Sequence, residues 1–82
     1  MRFDVVLAEL RLIKSRSQAS LAIQDGSALL NGARVKASHA VRAGDRITLV
    51  TPGGSRTLEV LELPGRSLSK EAAKALVREV AE

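Results

Sequence analysis

Residues 12–19 read LIKSRSQA, an apolar pair running into Lys14, Ser15, Arg16 and Ser17 and then turning apolar again. Ser15 followed three residues later by Gln18 fits a capping box, with Ser15 as the cap of a helix. That helix is expected from about Arg16 to Asp25. Ala19, Ala22 and Ile23 form its inner face, and Gly26 supplies a left-handed stop. Leu21 falls off this stripe. Upstream, Phe3, Val6, Leu7 and Leu10 repeat at helical spacing and predict a first helix over residues 4–13, with Asp4 able to cap it. Two helices are therefore joined by a short segment holding two cations and two hydroxyls. A helix start carries free backbone N–H groups and a partial positive charge. With Lys14, Arg16, Ser15 and Ser17 beside it, the joint has the makings of a phosphate-binding corner. Ser15 can serve as cap, as phosphate donor, or as both.

Downstream the texture changes. Ala28 to Leu30, the Asn31-Gly32 pair and Ala33 to Val35 read as a tight hairpin, because Asn-Gly suits a turn with positive φ at both central residues. Lys36 to Arg42 is a polar loop and Ala43-Gly44-Asp45 a turn. Arg46 to Val50 alternates as a strand, Pro52-Gly53-Gly54 turns, and a further strand is expected over about residues 56–63. Pro64-Gly65 ends it. Ser69 can cap a last helix over about 69–81, striped by Ala73, Leu76, Val77 and Val80. The expected class is α+β in the order ααββββα, with two helices packed on a small twisted, mostly antiparallel sheet. The 82 residues make one domain, with a core over 1–62.

Composition narrows the chemistry. There is no cysteine and one histidine, His39, so thiol chemistry is absent and no metal site is expected. Asp4, Asp25 and Asp45 fall on cap and turn positions and are not paired as acid and base. Ser67-Leu68-Ser69-Lys70 has the spacing of some serine acylases, but it lies at an expected helix start, where capping explains it. Pro52-Gly53-Gly54 has no Gly-Lys-Ser/Thr after it and is no phosphate loop. No catalytic residue, cofactor or small-molecule substrate is expected. No apolar run reaches a membrane span and no leader pattern opens the chain, so a cytoplasmic protein is expected. The net charge is +4, and it lies in residues 1–50, where eight cations face four carboxylates. Residues 51–82 hold five of each. Clustered positive charge is the footprint of a polyanion binder. Phe3 is the single aromatic residue and sits on the core stripe. Stacking of unpaired bases is therefore disfavoured, which leaves folded RNA read through phosphates, 2′-hydroxyls and shape.

The stretch RLIKSRSQA, then Asp25-Gly26, then LLNGARVKASHAVRAGDRITL, resembles the RNA-binding domain named after the fourth protein of the small ribosomal subunit, the S-four domain. Arg16-Ser17, Gly26, Asn31-Gly32, Lys36 and Gly44-Asp45 are specific as an ordered set. Within the family, the chain is most similar to small stand-alone members that act on the large ribosomal subunit in heat shock and in ribosome-associated quality control. The resemblance implies an RNA surface across the helices and the adjacent loops. Arg2, Lys14, Arg16 and Ser17 would lie on its helical side, and Arg34, Lys36, Ser38 and Arg42 on its hairpin and loop side. Asn31, Gly32, Gly44 and Asp45 read as turn builders, although Asp45 could equally orient a cation. Implied partners are rRNA and tRNA on the large subunit, bound by a monomer. The implied role is quality control of stalled nascent chains, on obstructed subunits that still hold peptidyl-tRNA. Where relatives carry a lysine and an aromatic in the first helix, this chain has Val5 and Val6. The alternatives are a structured-RNA binder without ribosomal preference, or a protein-interaction module using the last helix with Val5, Ala8 and Leu12.

Overall fold

The computed structural model describes residues 1–65 and 70–80. Helices α1 (Phe3–Glu9) and α2 (Arg16–Asp25) precede strands β1 (Ala28–Leu30), β2 (Arg46–Thr51) and β3 (Gly54–Val60), then a short helix α3 (Lys70–Lys74) and strand β4 (Val77–Val80). The four strands form one antiparallel sheet in chain order, β1-β2-β3-β4. The expected class, two helices on a small antiparallel sheet, is what is found. The order of the last elements is not.

Helix α2 is bounded as its sequence dictates. Ser15 is extended and its hydroxyl accepts the Gln18 N–H at 3.2 Å. Gly26 at φ 85° closes the other end, and the Ser27 N–H returns to the Ala22 carbonyl at 2.9 Å. Helix α1 is shorter than expected. It stops at Glu9, and Arg11 takes a left-handed φ of 57°, a conformation usually left to glycine or asparagine. The chain then folds back, with the Leu12 and Ile13 N–H groups both reaching the Leu7 carbonyl. These two residues pack against the core instead of extending the helix. Asp4 does not cap α1. Arg2 holds the cap position, and Asp4 lies inside the first turn, buried.

The Asn31-Gly32 turn forms with φ of 52° and 79°, and Leu30 and Ala33 exchange N–H···O bonds at 3.0 Å. The second arm goes no further as a strand, and the partner of β1 is β2. That register faces Ala28 and Leu30 toward the helices beside Ile47, all three buried. Asn31 locks the arrangement. Its side chain accepts the Arg46 N–H at 2.9 Å and donates to Asp45 at 3.2 Å. Asp45 also accepts the Arg42 N–H, so Asn31 and Asp45 are turn builders. Strand β3 ends at Val60, before the expected Leu63.

The expected helix over 69–81 is corrected. Among the described residues of this span, only Lys70–Lys74 is helical, and Val77–Val80 pairs with β3. Ala73, Leu76, Val77 and Val80 satisfy a helical period, but β-branched valines also suit a strand, and β3 would otherwise keep an open edge. Complementary charges fix the choice. Arg78 pairs with Glu59 and Arg56 with Glu79, both at 2.8 Å. The expected Ser69 cap and the Ser67–Lys70 match begin outside the described residues.

The core runs between the helices and one face of the sheet. Phe3, Val6, Leu7, Ala19, Ile23, Ile47, Val60 and, from the loop, Val41 have essentially no exposure. Gly26→Ala should lower stability by about 1–2 kcal/mol, the cost of a Cβ in the left-handed region, since that Cβ would meet nothing nearer than Arg34 Nε at 3.5 Å. A shifted urea midpoint at unchanged slope is the expected readout.

Candidate nucleic-acid interface

The site is built around the start of α1. The first N–H groups of a helix have no partner within it. Here the loop supplies them: Phe3 N–H bonds the His39 carbonyl at 2.9 Å and Asp4 N–H the Ala37 carbonyl at 3.1 Å. The Val41 N–H bonds the Met1 carbonyl at 2.8 Å, and Arg2 bridges Ala40. The loop carrying Lys36, Ser38 and Arg42 is thus sewn along residues 1–4.

Asp4 joins this loop to the second helix. Its carboxylate is only 6% exposed. It accepts the Val5 N–H at 2.8 Å and a two-pronged contact from Arg2, Nε at 3.1 Å and Nη2 at 3.0 Å. Arg16 Nη2 stands 3.8 Å from the same oxygen that Arg2 Nη2 holds. A buried carboxylate is costly unless paired, and two guanidiniums supply the pairing. The arginines themselves are more than half exposed, so each keeps donors facing water. A shallow depression beside them is lined by Asp4, Arg16, Ser17 and Ser20.

The structure therefore brings Arg2, Arg16 and Ser17 to one corner, and the backbone of the loop bearing Lys36 and Ser38 docks beside them. Lys14 stands next to the Ser15 cap, and Arg42 follows Val41 where it docks on Met1. Lys14, Lys36 and Arg42 are exposed and have no ion-pair partner among the described residues. Arg34 is placed differently. Its Nη2 donates to the Gln24 carbonyl at the far end of α2, about 12 Å from Arg16 by helix length. There it offsets the negative helix end. Beside it, the Asp25 carboxyl is held below its ordinary value, first by the Ser27 side chain, next by the Ser27 backbone, with Arg34 adding a smaller pull against desolvation.

Two features escaped the sequence reading. Asp4 reads locally as a cap, and only the fold shows it holding Arg2 and Arg16. The available signal was the opposite charge of Arg2 and Asp4 two residues apart at the helix start. Arg11 in a left-handed conformation has no residue-type signal. The off-stripe patch of Val5, Ala8 and Leu12 does not form an exposed surface. All three are half-buried, and Leu12 packs on the core.

A family model described as the S4 domain matches residues 1–47, which span α1, α2, β1 and the start of β2. The chain belongs to the S4-domain family. Among S4-domain relatives, it is 37% identical over 73 residues to the "RQC P-site tRNA stabilizing factor" of Bacillus subtilis, covering 89% of this chain and 85% of that one. It is 35% identical over 63 residues to an uncharacterized RNA pseudouridine synthase of the same species, covering 77% of this chain but 20% of that much longer protein. The trimeric structure of Vibrio cholerae Heat Shock Protein 15 superposes with a TM-score of 0.91 at 31% identity, covering 99% of this chain and 82% of that one. That likeness of fold takes in β3, α3 and β4 as well.

Asp4→Asn keeps the shape of the side chain and removes its charge. It should cost about 1–2 kcal/mol, less than a fully buried pair because both arginines are solvent-facing. A variant that unfolds at the parental urea midpoint would remove Asp4 from this role.

Proposed function

We propose that the whole chain acts as one S-four-type unit that binds structured RNA on the ribosome, gripping rRNA and tRNA together on the large subunit. The carrying observation is the convergence on Asp4: Arg2 and Arg16 on its buried carboxylate, Ser17 in the depression beside it, and the Lys36–Ser38 loop on its backbone N–H. Guanidiniums held by their inner edges present their outer N–H groups in fixed directions, which suits paired contacts to phosphate oxygens. The start of α2 adds backbone N–H groups at the same corner. Lys14, Lys36 and Arg42 extend the charge along the backbone contour, and Ser17 and Ser38 offer hydroxyls to phosphate or 2′-hydroxyl groups. Phe3, the chain's single aromatic, is fully buried, so base stacking on aromatics plays no part.

The relatives' names support a role in ribosome-associated quality control of stalled nascent chains. In this reading the protein holds a tRNA in place on an obstructed large subunit and so aids elongation or clearance of the nascent chain. It acts by binding rather than catalysis, as a monomer in the cytoplasm, and no helix among the described residues is long and apolar enough to cross a membrane.

Arg16→Ala should weaken co-sedimentation with large subunits by about tenfold, or about 1.4 kcal/mol. Unchanged co-sedimentation would reject the role given to this side chain. If about four to six phosphates are neutralised, log affinity should fall against log salt with a slope of about −3 to −5. Titrations at several salt concentrations give that slope, and near-zero dependence would argue against a phosphate-reading surface.

A further inference from the structure

At the other end of α1, about 10 Å from the Asp4 corner by helix length, the two layers part. Strand β3 and strand β4 carry the inner face of the sheet outward past the end of the helices. The register puts Arg56, Leu58 and Val60 of β3 on this face, with Val77 and Glu79 of β4 beside them. A cavity of about 240 Å³ lies between this surface and the turn that ends α1. Its floor is aliphatic, made by Leu10, Leu12, Leu58 and Val77. Leu10 and Leu58 are buried, while Leu12 and Val77 are half-covered. Its rim is cationic, with Arg11, Arg56 and Lys74 brought from three separate elements, all three exposed. Among the described residues, Glu79 sets a carboxylate beside this rim and holds Arg56 at 2.8 Å.

An aliphatic floor with a cationic rim selects its occupant. Phosphates and riboses are hydrated and gain nothing from leucine side chains. No aromatic lines the cavity to stack a base. The volume falls below the roughly 300–1,000 Å³ of small-molecule sites, which argues against a cofactor and suits one or two side chains. What fits is an aliphatic side chain flanked by carboxylates. We propose that this cleft docks an acidic peptide segment of a partner protein, seating one aliphatic residue on the leucine floor and its neighbouring carboxylates on Lys74 and the exposed edge of Arg56. Such a contact leaves the Asp4 corner free, so peptide and RNA can be held at once.

The test uses the full chain, labelled with nitrogen-15 and titrated with an acetylated eight-residue peptide of alternating glutamate and leucine. Shifts should be confined to residues 10–12, 56–58 and 74–77. Lys74→Glu should weaken the peptide at least fivefold while its co-sedimentation with large subunits stays at the parental level. A glutamate–serine peptide of equal charge should bind at least fivefold more weakly than the leucine-bearing one. The proposal is overturned if millimolar peptide causes no shifts, if shifts map elsewhere, or if the serine peptide binds equally well. It is also overturned if Lys74→Glu changes nothing, if an RNA duplex moves the same residues, or if light scattering shows that a second copy of this chain occupies the cleft. None of these results bears on the Arg16 prediction, so the two readings fail separately.

Discussion

The first turn of α1 has no helical partner for its N–H groups, and the chain meets that requirement with loop carbonyls more than thirty residues away. Phe3 N–H to His39 and Asp4 N–H to Ala37 are backbone contacts, so they depend on chain path rather than on side-chain identity. They position two things together. Phe3 is placed in the centre of the core, and the loop that follows the Asn31-Gly32 turn is drawn against the helices. Without them Lys36 and Ser38 would have no defined relation to Arg16.

Asp4 builds on the same contact. A carboxylate with 6% exposure is stable here because it accepts from the Val5 N–H and from Arg2, with the Arg16 guanidinium at ion-pair distance. Its cost is offset by order. An arginine loses considerable rotamer freedom when it grips a phosphate, of the order of 1 kcal/mol. A side chain already tethered at its inner edge loses less. The same carboxylate lowers the local charge from two to one, which tempers attraction to any polyanion and leaves geometry a larger share of recognition.

How much of this was legible in the sequence follows from the range of each signal. The Ser15 cap, the Gly26 stop, the Asn31-Gly32 turn and the Asp45 turn are decided within a few residues, and each was readable. The N-terminal helix was read too long because Leu12 and Ile13 keep an apolar pattern while Arg11 turns the chain without a glycine. The C-terminal segment was misread because its spacing serves helix and strand alike. The open edge of β3, whose residues pair with partners 17 to 23 positions further along the chain, decided it, and no local feature reports that edge. In the site, Arg2, Arg16 and Ser17 stand around Asp4, on the helical side to which their sequence positions assign them. The role of Asp4 and the diversion of Arg34 to the Gln24 carbonyl were not legible, because both rest on contacts between distant segments.

The sheet adds its strands in chain order, each laid beside the one before. Such a meander unravels from its margins. Strand β4 is tied to the rest through β3 and a modest apolar contact, whereas the loop-to-helix stitching lies wholly within residues 1–47. Opening of the carboxyl-terminal margin therefore has its own small free energy, separate from global unfolding. The molecule can loosen there while the arginine corner stays assembled, which divides it into a rigid grip and a yielding flank.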